Sequence, residues 1–110
     1  MKEVKAYIKK HKVDAVSMAL LKLEGLPGFS VVEVRGCGRR HTSSGPDRRM
    51  EEFEQHAKVE VVCADDQVKP IIDAIKQAAH TGLRGDGKIY VSTIDQAVSI
   101  QTDEQGEHVV

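Results

Sequence analysis

The chain has 110 residues, the size of one domain with room for a single real core. Sixteen basic and seventeen acidic side chains leave a formal net charge of −1, and there is no tryptophan and only two tyrosines and two phenylalanines. No overall field or stacking platform therefore argues for nucleic acid. No apolar run approaches the length of a membrane span and the N-terminus lacks a signal-peptide core, so no direct membrane insertion is expected. Cys37 and Cys63 are too few for a secreted disulfide scaffold, which makes a reducing cytoplasm the expected compartment.

Residues 3–9 alternate, with Val4, Ala6 and Ile8 opposed to Lys5, Tyr7 and Lys9, the pattern of a strand with one buried face. From Val13 the period changes: Val13, Val16, Leu20 and Leu23 form one helical stripe, with Asp14 suited to the first-turn dipole. Gly25-Leu26-Pro27-Gly28 ends it. Phe29–Gly36 reads as a second strand. From Cys37 to about Ala57 no periodicity is visible, and loops of that length in small domains are usually functional or disordered.

Lys58–Cys63 is the expected third strand, and Asp65-Asp66 signals a helix start. Val68, Ile71, Ile72, Ile75, Ala78 and Ala79 trace an apolar stripe, with Pro70 tolerated in the first turn and Gly82 as the stop. The fourth strand is expected over 88–93 and a short fifth over 97–101. Residues 1–101 then form the domain and 102–110 a polar, loose tail. Strand–helix–strand occurs twice, which predicts an α+β, ferredoxin-like βαββαβ sandwich with both helices on one face of an antiparallel sheet. The other face is left bare. Val31, Val62 and Tyr90 are expected to contribute to it, and self-association is the natural way to cover it.

The chemistry concentrates in Thr81–Val91. Gly85 and Gly87 flank Asp86 and free the backbone for a tight turn, whose N–H groups can form an anion-binding concavity beside Lys88. A phosphate fits that description. A plain chain-turning role with Lys88 solvated fits the same residues and is the commoner use of a short glycine-rich turn. The segment is not a Walker P-loop, because the G-x-x-x-x-G-K spacing fails and Ile89 stands where the magnesium-binding hydroxyl belongs.

Taken together, Met1–Lys9, Val31–Arg39, Lys58–Asp66 and Thr81-Gly82-x-x-Gly85-Asp86-Gly87-Lys88-Ile89 resemble the PII signalling proteins, the nitrogen-regulatory P-II family, over roughly residues 1–101. The resemblance implies a homotrimer with inward-facing sheets and three clefts between subunits that bind an adenine nucleotide, ATP, ADP or AMP. It also implies that the loop over about 37–57 is the family's T-loop, which docks on a partner transporter or enzyme. By matching motif, Gly85, Asp86, Gly87 and Lys88 would hold phosphates. Gly36, Cys37, Gly38 and Arg39 would form the loop base, and Ser30 and Val62 would line the adenine pocket. The anion-cradle reading of Gly85–Lys88 then displaces the plain turn.

The departures are informative. Ser99 and Gln101 stand where typical members carry two arginines, so a bidentate polyphosphate clamp is missing and ADP or AMP should compete well with ATP. Arg40, beside Arg39, could reach a phosphate from the loop side instead. Residues 37–57 hold no tyrosine for uridylylation. Arg40 and His56 replace a glutamine and a lysine that help bind 2-oxoglutarate through magnesium–ATP, which argues against that sensing mode. The competing class is a trimeric, CutA-like metal-binding protein using Cys37 with His41 and His56, although their spacing follows no zinc template. No constellation of catalytic residues is visible, so the chain is read as a regulator and not an enzyme.

Overall fold

A computed structural model describes residues 1–37 and 54–110. Four strands, β1 (Lys2–Lys9), β2 (Phe29–Gly36), β3 (Glu54–Cys63) and β4 (Gly87–Thr93), form one sheet in the order β2-β3-β1-β4, with every neighbouring pair antiparallel. Two helices, α1 (Val13–Leu21) and α2 (Val68–Ala79), supply the crossovers. This is the expected ferredoxin-like α+β arrangement. Among the described residues no helix is long and apolar enough to cross a membrane.

The alternation of β1 decides the layering. Val4, Ala6 and Ile8 are buried together with Ala57, Val59, Val61 and Cys63 of β3, Val16 and Leu20 of α1, and Ile71, Ile75 and Ala79 of α2. Those positions recur with period two on the strands and every three to four residues on the helices, so one face of each element closes one core. Val13 and Leu23 complete the α1 stripe from its ends, and Val68, Ile72 and Ala78 complete that of α2. Cys63 is buried core as expected, and burial pushes its thiol pKa up. A 3-10 turn over Asp65–Gln67 leads into α2, and the Gln67 side-chain oxygen caps that turn by accepting the Ala64 N–H at 2.9 Å. The neighbouring aspartates marked the right place, but a glutamine makes that capping bond.

Several boundaries differ from the sequence expectation. β3 begins at Glu54, so Gln55, His56 and Ala57 belong to the sheet and not to the preceding loop. Ala57 is fully buried and pairs with Glu33 and Ile8; one small alanine extended the apolar alternation too weakly to read. Val31 lies opposite Val59 on the helix-facing side, so the bare face receives Val32 in its place, with Val62 and Tyr90 as expected. That face is also more charged than an apolar patch. It carries Glu3, Lys5 and Tyr7 of β1 opposite Val62, Glu60 and Lys58 of β3, with ion pairs Lys58–Glu60 at 2.9 Å and Lys5–Glu3 at 3.6 Å. Tyr7 and Tyr90 meet edge to face at 6.1 Å.

The segment after β4 forms no fifth strand but is held by hydrogen bonds. Val98 and Gln105 make a single bridge, and three backbone bonds close the turn: Ser99 N–H to the Glu104 carbonyl, Asp103 N–H to the Ser99 carbonyl, and Gly106 N–H to the Ala97 carbonyl. Polar residues thus build a local hairpin from backbone bonds, which no hydrophobic pattern announces.

Gly87 is the tightest point of the sheet. Its φ is +108°, and a Cβ there would lie 1.7 Å from the Tyr7 carbonyl oxygen. Gly28 has nothing within 4 Å of the same position. Gly87→Ala should therefore lower unfolding stability by at least ~3 kcal/mol, whereas Gly28→Ala should change it by less than about 1 kcal/mol. Urea denaturation of the two variants beside the parent chain measures both.

Candidate functional site

The turn joining α2 to β4 is organised by one carboxylate. Asp86 accepts the Thr81 N–H at 2.8 Å, the Gly82 N–H at 3.3 Å and the Thr81 hydroxyl. Lys9 Nζ sits 3.3 Å from Asp86 Oδ1, and His80 Nδ1 sits 3.3 Å from Oδ2. The Thr81 hydroxyl also accepts the Leu83 N–H at 3.0 Å. Chain reversal through Gly82 and Gly85, both at φ +81°, brings these donors round the carboxylate. Hydrogen bonds from the Thr81 side chain, first, and the Thr81 backbone, second, hold the Asp86 carboxyl far below the ordinary carboxylate range.

Asp86 is thus committed inside the turn, as its frame. The sequence placed it among the phosphate-holding residues but gave no sign of its partners Lys9 and His80. His80 is exposed, yet it reaches Asp86. The partners lie from four to 77 residues from Asp86, spacings that share no single period.

Beside the turn, a cleft of about 410 Å³ opens between the C-terminal half of α2 and the start of β4. Ile8, Ile72, Ile75, Ala79 and Ile89 line it with apolar atoms and Lys76, His80 and Asp86 supply polar groups, while Lys88, opposite Tyr7 on the bare side, borders it at the edge of the sheet. Lys9 offsets the Asp86 charge. Among the described residues, Lys76 and Lys88 enter no ion pair. The cleft therefore carries uncompensated positive charge over an apolar floor, which suits an anion with an apolar body.

The remaining residues expected at the site divide by position. Gly36 and Cys37 lie at the same end of the sheet as Gly85–Lys88, but beyond β2 and not β4. A Cβ at Gly36 would stand 3.4 Å from His56 Nδ1, so the glycine leaves room for that imidazole. Cys37 is exposed and is not joined to buried Cys63. Ser30 and Val62 lie on the bare face, on β2 and β3. Gly38, Arg39, Arg40 and His41 lie outside the described residues, as does most of the expected T-loop. Among the described residues there is no group of three or more histidine, cysteine or acidic side chains arranged to hold a metal ion.

The chain matches the family model described as Nitrogen regulatory protein P-II over residues 1–104. It is 44% identical over 109 residues to the nitrogen regulatory protein P-II of Bradyrhizobium diazoefficiens, covering 96% of each chain. Over 113 aligned positions spanning the whole of both chains, it is 42% identical to the protein of that name from Nostoc punctiforme and 44% identical to that from Rhodobacter capsulatus. The chain belongs to the nitrogen regulatory protein P-II family.

The Asp86 frame has a pH signature. A carboxyl whose folded pKa is depressed stabilises the fold above its unfolded value near ~4, and that contribution is lost as pH falls through the lower folded value. The stability difference between the parent chain and Asp86→Asn should be full between about pH 5 and 7 and shrink in stronger acid. Urea midpoints of both chains across that range measure it, and a difference that does not vary with pH would contradict the frame.

Proposed function

We propose that the chain is a signal-transduction regulator that assembles as a homotrimer and binds an adenine nucleotide between its subunits. Gly85, Gly87 and Lys88 hold the phosphates, with Asp86 fixing the shape of their turn. Gly36, Cys37, Gly38 and Arg39 form the base of the T-loop beside the nucleotide, with Arg40 as a further phosphate contact, and Ser30 and Val62 line the adenine pocket.

The observation that carries this reading is the separation of two groups of residues within one chain. Ser30 and Val62 stand three and two strands from Lys88 and further along the sheet, roughly 16 Å away at ordinary strand spacings. Lys58, Glu60 and Tyr7 occupy the sheet between them. Phosphate and base subsites meet more directly when one copy supplies the turn and a neighbouring copy supplies Ser30 and Val62. Self-association then covers the bare face as well as completing the site.

The nucleotide biases the T-loop between conformers, and the loop binds or releases a partner transporter or enzyme. For that to work, the ligand must interact differently with the two loop states. Ser99, one of the two positions where an arginine pair is absent, is engaged in its own turn: its carbonyl accepts the Asp103 N–H at 2.9 Å and its hydroxyl the Thr102 N–H at 3.3 Å. This supports a weaker hold on the distal phosphates and effective competition of ADP and AMP with ATP.

Calorimetric titration with ATP, ADP and AMP tests the reading. Lys88→Ala should lower affinity on the order of tenfold, the size of one hydrogen bond to a charged group, while light scattering still reports a trimer. A parent chain that binds no nucleotide at millimolar concentration, or that is monomeric, would refute the proposal.

A further inference from the structure

We infer that Lys76 is a second phosphate-gripping residue, which makes the α2–β4 cleft sensitive to the number of phosphates on the bound nucleotide. The inference rests on the nucleotide reading above and adds a residue that the motif match does not supply. Lys76 stands in the last turn of α2 and lines the same cleft as Lys88, Gly87 and Asp86.

Three observations favour the assignment. The acidic group of the cleft is already engaged, because Asp86 is paired with Lys9 and accepts the Thr81 and Gly82 donors. An incoming phosphate thus meets Lys76 and Lys88 with their charges unspent. The cleft floor is apolar, which suits the apolar body of a nucleotide. The C-terminal segment also offers no replacement cation: after Lys88 the chain contains no lysine or arginine, while Asp95, Asp103, Glu104 and Glu107 are acidic. If a cation beyond the glycine turn is to meet a β- or γ-phosphate from the body of the fold, Lys76 is the one placed at the cleft.

A simpler role competes for the same side chain. A lysine in the last turn complements the partial negative charge of a helix C-terminus, and the Lys76 carbonyl accepts the His80 N–H at 3.1 Å, closing that end of α2. That role concerns stability and is indifferent to which nucleotide is present. Phosphate gripping depends on chain length, since a reaching ammonium adds most to the ligand with the longest tail.

The test is calorimetry of the parent chain, Lys76→Gln and Lys76→Arg with ATP, ADP and AMP, with thermal unfolding recorded for each. Lys76→Gln should lose on the order of tenfold in ATP affinity, less for ADP and least for AMP, and Lys76→Arg should retain most of the parent's discrimination. Unchanged affinities in Lys76→Gln, or an equal loss for all three nucleotides, would overturn the inference and leave the nucleotide reading standing. A parent chain that binds none of the three would remove both.

Discussion

Much of the functional end of this molecule depends on how a single carboxylate is surrounded. Asp86 gathers two backbone N–H groups, one hydroxyl, the Lys9 ammonium and the His80 imidazole, drawn from β1, the end of α2 and the turn itself. Acceptors so placed substitute for the intraturn backbone bonds that a glycine-rich segment lacks. They also set the angle at which the chain leaves α2 and joins β4. Immediately afterwards Gly87 passes so close to Tyr7 that no side chain fits. The two features act in series: one shapes the bend, and the other presses its exit against β1.

Placing the turn's negative group inside this cage changes the electrostatics of the adjoining cleft. An exposed aspartate between two glycines would repel a phosphate. With its charge met by Lys9, the turn instead presents backbone and the lysine that follows. The family to which the chain belongs is recognisable in the glycines and Lys88, but the reason an aspartate sits among them becomes physical only once its partners are located.

The sequence made the layered architecture readable because burial here is strictly periodic. Val4, Ala6 and Ile8, and the stripe from Val68 to Ala79, each declare an element and the face it buries. The parts that escaped are those in which periodicity is weak or absent. Ala57 is too small to extend an apolar alternation convincingly, and Val31 and Val32 are adjacent valines whose facing is fixed only by register with β3. The hairpin from Ala97 to Gly106 rests on backbone hydrogen bonds among polar residues, for which a hydrophobic pattern offers no clue. At the site, the glycines and Lys88 were legible as a motif, whereas Lys9, Lys76 and His80 approach from distant or differently folded segments. Only tertiary structure brings them together.

The pairing of Gly36 with Glu54 has a mechanical consequence. The excursion between β2 and β3 departs and returns across adjacent rungs of one ladder, so its two roots are fixed a single strand spacing apart whatever lies between them. Any pull at the far end of that excursion reaches the body of the protein as leverage on this last rung, with Gly36 resting over the His56 imidazole. From there the load passes along β3 to Lys9, which pairs with His56 and holds Asp86 at its other end. The root of the excursion and the glycine turn are thus connected through two adjacent strands.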